Sequence, residues 1–195
     1  MAFILEGIVT TLDADQRIHI APMGPAVDRQ MERLMLRPFK TAQTGRNLKA
    51  HPEGVFHVTD DVLLLARAAL GKLDQLPALN PASHVRGSII SDACRFYEFR
   101  VRSVDDSDDR SRMEAEVVHF GRLRDFVGFN RAKHAVVEAA ILATRTDFLP
   151  LADIQKEFQK LRVIVLKTGG DQEKAAFAFL EEHLARTARS KEAVS

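Results

Sequence analysis

The chain has 195 residues, 46% of them hydrophobic and 28% charged, with a formal net charge of +1. That is apolar material enough for one medium domain, or a domain with a helical appendage, and the near-balanced charge excludes a global attraction to nucleic acid or anionic membrane. Cys94 is the only cysteine, which excludes an internal disulfide, and no apolar run approaches the roughly 20 residues needed to span a bilayer.

Met1-Ala2-Phe3 runs straight into a short apolar stretch broken by Glu6. This is not a signal-peptide layout, so the cytoplasm is the expected compartment. Residues 3–11 are rich in β-branched side chains and read as a first strand. Asp13-Ala14-Asp15 supplies a turn, Arg17-Ile18-His19-Ile20 alternates as a half-buried partner strand, and Pro22 and Gly24 end it. Glu6 and His19 have the chemistry of site residues, but their positions suit a solvent-facing pleat.

Arg33-Leu34-Met35-Leu36 is strand-like and leads into a basic segment, Arg37-Pro38-Phe39-Lys40-Thr41-Ala42-Gln43-Thr44-Gly45-Arg46-Asn47-Leu48. Three cations, two threonine hydroxyls, an amide and a glycine within a dozen residues suit a phosphate. Guanidinium and ammonium groups neutralise it, and hydroxyls and backbone N–H groups fill its oxygens. The competing reading is an edge strand with a solvated basic loop. Residue chemistry alone leaves both open, since no phosphate fingerprint is matched.

Val55 to Val58 reads as a further short strand, and Thr59 or Asp60 as the N-cap of a helix over residues 62–70 that ends at Gly71. Residues 73–83, with Pro77 and Pro81, carry no clear period. Residues 85–90 and 96–104 read as strands, the second with Tyr97, Phe99 and Val101 opposite Glu98, Arg100 and Arg102. Residues 105–109 form an acidic turn, and residues 112–120 continue the alternation. Pairing the two long strands as a hairpin sets arginines across from glutamates. The acid cluster lacks the glycine and distal glutamate of a calcium loop and reads as a solvated hairpin tip.

At Gly128 the period becomes helical. Asn130 caps a helix to about Thr146 with Ala132, Ala135, Val136, Ala139 and Leu142 or Ala143 on one face, and Gly128-Phe129-Asn130-Arg131-Ala132 sets an amide and a guanidinium at a helix start, where anions are favoured. A pairing of Arg131 with a carboxylate explains it equally well. A second helix is expected over residues 151–161, a short strand at residues 163–166, a glycine turn at Lys167-Thr168-Gly169-Gly170, and a last helix with Ala176, Phe177, Leu180 and Leu184 in a stripe. The tail from Ser190 is expected to fray. Strands followed by helices indicate an α+β fold, with about six short antiparallel strands suiting a small barrel. Neither a Gly-x-Ser-x-Gly elbow nor a metal-ligand spacing among the seven histidines is present, so no metal is expected.

Taken together, Leu36-Arg37-Pro38-Phe39-Lys40-Thr41 with Thr44-Gly45-Arg46-Asn47-Leu48, Gly128-Phe129-Asn130-Arg131-Ala132, Ala143-Thr144-Arg145 and Lys167-Thr168-Gly169-Gly170 resemble the domain of unknown function 447 family. Its members sit among the FMN-binding split barrels, relatives of pyridoxine-phosphate oxidase and flavin reductases. The resemblance covers nearly the whole chain. It implies a split β-barrel of antiparallel strands over residues 1–125, a helical C-terminal subdomain over residues 126–195, a homodimer, and FMN as cofactor. It implies that Arg37, Lys40, Thr41, Thr44, Arg46 and Asn47 hold the flavin phosphate, with Asn130 and Arg131 as a second contribution. It further implies a flavin-dependent oxidoreductase acting on a small molecule, for which a pterin of one-carbon metabolism is a candidate. A non-catalytic module that binds or senses flavin or another phosphorylated ligand is the alternative, and nucleic acid and membrane are not expected partners.

Overall fold

The computed structural model describes residues 3–192. The chain is an α+β protein built on a split antiparallel β-barrel with a helical C-terminal region, and it divides into two compact units: residues 3–59 with 75–126, and residues 60–74 with 127–192.

In the first unit the strands are β1 (Phe3–Ile4), β2 (Gly7–Leu12), β3 (Ile18–Met23), β4 (Ala26–Val27), β5 (Arg33–Leu36), β6 (Glu53–Val58), β7 (Leu79–Pro81), β8 (Ser88–Ile90), β9 (Arg95–Asp105) and β10 (Arg112–Arg122), with one helix, α1 (Gln43–Ala50). Eight strands form one antiparallel sheet in the order β1-β4-β5-β10-β9-β6-β2-β3, and β7 and β8 pair separately. The long hairpin β9–β10 shifts register between Glu114 and Ala115 and again between Val117 and His119. Such bulges bend a strand and raise its twist, which curls the sheet. Alternate side chains fill the concave face: Val9, Leu34, Leu36, Phe56, Phe99 and Met113 are buried together, and Leu48 of α1 packs into the same core. Gly54 is needed there, because a Cβ would stand 2.7 Å from the Phe99 ring.

The second unit holds α2 (Val62–Ala69), α3 (Arg131–Ala143), α4 (Leu151–Thr168) and α5 (Asp171–Glu192). The small-residue face of α3 is buried as its period predicts, with Ala143 rather than Leu142 completing it, and so is the α5 stripe of Ala176, Phe177, Leu180 and Leu184. Half-buried Lys133 pairs with buried Glu173 and ties α3 to α5 at 2.7 Å.

Several local expectations are corrected. The first strand is two strands, because β1 pairs with β4 while β2 pairs with β3 and β6. Residues 163–166 lie inside α4, not in a strand: Ile154, Phe158 and Val165 repeat at helical spacing and are buried, and that stripe overrides the β preference of two valines and an isoleucine. Asp61, not Thr59 or Asp60, caps α2, its carboxylate accepting from the Leu64 N–H at 2.9 Å. Pro22 sits within β3, an edge strand, where a missing N–H is tolerated. Helix α5 continues through Ser190 to Glu192, and the rest of the tail lies outside the described residues.

Candidate functional site

The basic segment leaves β5 at Leu36 and becomes a helix at Gln43, where a loop was expected. Glycine and asparagine are poor helix formers, so packing makes this helix. Leu48 is wholly buried, and Gly45 brings the turn so close to the preceding loop that a Cβ would stand 3.0 Å from the Phe39 carbonyl oxygen. Ala42 at the N-cap is extended and offers no side-chain cap. The N–H groups of Gln43, Thr44 and Gly45 therefore face forward as first-turn donors without intrahelical acceptors.

Around that turn the cations are not neutralised by ion pairs, and one of them, Arg46, is held in place. Arg46 is exposed, and its guanidinium donates to the Thr41 carbonyl at 2.5 Å and to Gln43 Oε1 at 2.7 Å. Arg37 and Thr41 are exposed and Lys40 is half-buried. Among the described residues no ion pair joins Arg37 or Arg46 to a carboxylate, and the Thr44 hydroxyl, on a residue only 3% exposed, makes no hydrogen bond. Asn47 differs from the rest: it is buried, donates to Thr11 Oγ1 at 2.9 Å and accepts from Gln43 Nε2 at 2.6 Å, and so locks α1 onto β2. His19 lies half-buried on β3; burial, reinforced by the nearby Arg46 charge, holds its imidazole below the usual range and so neutral near pH 7.

The β9–β10 tip is exposed, as expected of a solvated hairpin tip, and it also hydrogen-bonds to the basic segment. Ser111 N–H donates to the Pro38 carbonyl at 3.0 Å and Lys40 N–H to the Asp109 carbonyl at 3.3 Å. Lys49 pairs with Asp106 at 2.8 Å, and this bond, with that from Ser111, holds the Asp106 carboxyl below its ordinary range. Arg110 stacks over the Phe39 ring at 3.9 Å and, with Arg37 and Arg112, borders a cavity of about 200 Å³. Sequence reasoning missed Arg110. The one available signal was the length of the hairpin, whose tip had to reach something. A larger groove of about 970 Å³ runs along β4, β5 and β10, lined by Leu34, Met35, Arg102, Arg112 and Glu116 among others.

Asn130 and Arg131 belong to the second unit. Asn130 caps α3, accepting from the Ala132 and Lys133 N–H groups at 2.8 and 3.1 Å and donating to the Thr168 carbonyl at 3.1 Å. Arg131 is exposed. The structure thus gathers Arg37, Lys40, Thr41, Thr44, Arg46 and Asn47 at one turn of the first unit and sets the other two in the second.

Two family models match the chain: that for the N-terminal domain of a protein of unknown function (DUF447) over residues 5–124, and the companion DUF447 model over residues 130–182. Among solved structures, an FMN-bound protein of Methanosarcina mazei carrying the same family model is similar over 92% of this chain and 94% of its own, with a TM-score of 0.80 and 21% identity. A homologue of nitrilotriacetate monooxygenase component B from Mycobacterium thermoresistibile is similar over 64% of this chain and 72% of its own (TM-score 0.51, 15% identity). An NADH:FAD oxidoreductase of Streptomyces globisporus is similar over 60% and 70% (TM-score 0.50, 15% identity). No curated protein matches the chain.

Proposed function

The chain belongs to the DUF447 family, and from that membership we propose that it binds FMN, works as a homodimer, and is a flavin-dependent oxidoreductase acting on a small molecule. The observation that carries the proposal is the turn from β5 into α1. The turn carries uncapped N–H groups, the unpartnered Thr44 hydroxyl and cations without ion pairs, a donor set that fits a phosphate dianion. Arg37, Lys40, Thr41, Thr44 and Arg46 hold the phosphate, Arg110 extends the cationic rim, and Asn47 positions α1 without touching the ligand. The groove along β4, β5 and β10, which shares Met35 and Arg112 with the small cavity that Arg37 and Arg110 border, is in the size class of small-molecule sites. Bound there, FMN supplies the electron transfer, while the chain's residues fix and orient it. The FMN-bound M. mazei neighbour supports the same reading.

The test is a visible absorbance spectrum of the purified protein after addition of FMN and desalting. A retained flavin spectrum, bleached by NADH or NADPH and restored by an acceptor, is expected. A protein that releases all added FMN overturns the cofactor, and tight binding with no donor or acceptor makes it a binding module. Arg46→Ala removes a charge-assisted contact worth about 1.5–3 kcal/mol, so it weakens FMN binding by roughly 10- to 100-fold while the melting temperature barely moves. Unchanged affinity in that variant refutes the phosphate site.

A further inference from the structure

Away from the basic segment, the first unit carries a polar cluster with no part in the flavin proposal. Glu98 on β9 is wholly buried. Its Oε1 accepts from the Ser83 N–H and hydroxyl, each at 3.1 Å, and its Oε2 from the N–H groups of His84 at 2.6 Å and Val85 at 3.0 Å. Burial pushes this carboxyl up, but those donors outweigh it, so the group stays ionised. No ion pair joins it to a cationic side chain among the described residues. Buried charges are as a rule paired or bound to a metal; here hydrogen bonds spread the charge without cancelling it.

Two imidazoles stand beside that carboxylate. His84 lies on the loop that covers it, and His119 on β10 is its cross-strand partner. The bulge makes it so: Val117 pairs with Phe99, and the extra residue Val118 sets His119, rather than Val118, opposite Glu98. Bulges recur beside sites because they re-aim a side chain. The two rings stack at 4.1 Å, and Phe96 packs against His119 at 5.8 Å. One nitrogen of each ring and one Glu98 oxygen lie within 4.8 Å of one another, and neither ring is itself hydrogen-bonded to the carboxylate, which the His84 backbone N–H alone joins to this group. A single cation with bonds of about 2.0–2.2 Å draws these atoms closer together than that, so the side chains rotate toward it and one of the four donors on Glu98 gives way to the metal. The Ser83 hydroxyl donates to Glu98 and lies 2.9 Å from His84 Nδ1. It therefore accepts from Nδ1–H, which leaves the Nε2 lone pair free, as in the outer shell of known histidine–metal sites.

We propose that His84, Glu98 and His119 form a binding site for a divalent late first-row metal ion such as zinc, with the remaining coordination positions taken by water. Two imidazoles and one carboxylate select such ions over calcium or magnesium, which prefer all-oxygen ligands. His84 is exposed, so the site is reached from solvent.

The test is titration of the chelator-treated, full-length protein with Zn²⁺ by calorimetry and by competition with a chromophoric zinc indicator. The expected result is one Zn²⁺ per chain in the micromolar range or tighter, with a zinc-dependent rise in melting temperature. His84→Ala and His119→Ala each weaken binding by roughly 10- to 100-fold or more, and His51→Ala leaves it unchanged. His84 is an exposed loop side chain, so its variant folds and keeps the test decisive even if His119→Ala does not. Zn²⁺ binding of undiminished affinity in His84→Ala, or no binding by the unaltered protein, overturns the site.

Discussion

Burial and two backbone partners hold His57 on β6 as a neutral imidazole. Its Nδ1–H donates to the Ile8 carbonyl at 3.2 Å and its Nε2 accepts from the Ile90 N–H at 3.0 Å, so the ring pins β8 to the sheet. Burial lowers its pKa from 6.5 to about 4, against a smaller opposing pull from the Ile8 carbonyl. Because the folded value is depressed, this contribution to stability is complete above pH 6.5 and is lost as the pH falls toward 4. The difference corresponds to about 3 kcal/mol. Urea unfolding at pH 7 and pH 4.5 should show that loss. His57→Asn should be less stable at pH 7 yet lose less on acidification. His19 and His183 are also held low, chiefly by burial, and act in the same direction, so the comparison between wild type and variant isolates His57. An equal pH dependence in the two proteins refutes this account.

Among the elements, α3 and α5 are tied by a largely buried ion pair, half-buried Lys133 with buried Glu173, rather than by apolar contact alone. Glu173 accepts from Lys133 and from the Gly170 N–H at 2.8 Å, and Lys133 also donates to the Asp60 carbonyl at 2.7 Å. Burial raises the Glu173 carboxyl, but these bonds outweigh it and keep the group ionised. Lys133→Ala leaves that charge uncompensated and should cost about 3–5 kcal/mol; adding Glu173→Gln should recover part of the loss, read as the interaction energy of a double-mutant cycle in urea. Strictly additive losses would show that the pair contributes nothing of its own. Helices α3 and α5 and the β9–β10 hairpin were legible because each carries one sustained period over ten or more residues. Helix α1 was not, since Thr44, Gly45 and Asn47 interrupt its good helix formers and its eight residues are too few to show a sustained apolar period. The cations of the site were legible as a cluster in sequence. Arg110 and the His84–Glu98–His119 group were not, because hairpin-tip docking and a one-residue bulge bring them together.

For the whole molecule, a net charge of +1 places ligand attraction in one local cluster rather than in a global field. A ligand that binds only the folded chain stabilises it by mass action, by about 2.7 kcal/mol at a hundred times its Kd. At this chain length each kcal/mol moves the melting temperature by about 2–4 °C. Saturating FMN should therefore raise it by roughly 5–10 °C in the wild type and by much less in Arg46→Ala at the same concentration. An identical rise in both would separate flavin binding from the β5–α1 turn.

The place of Pro22 bears on how the protein behaves at high concentration. Strand β3 borders the eight-stranded sheet opposite β1, which is only two residues long. An edge strand offers its unpaired N–H and C=O groups to any passing β-strand, and this is how globular domains seed fibrils. Proline supplies no N–H for such a ladder, and the chain leaves the strand at Gly24 immediately after Met23. One border is thus interrupted and the other is too short to template growth, so the barrel can stay open-edged without polymerising strand by strand.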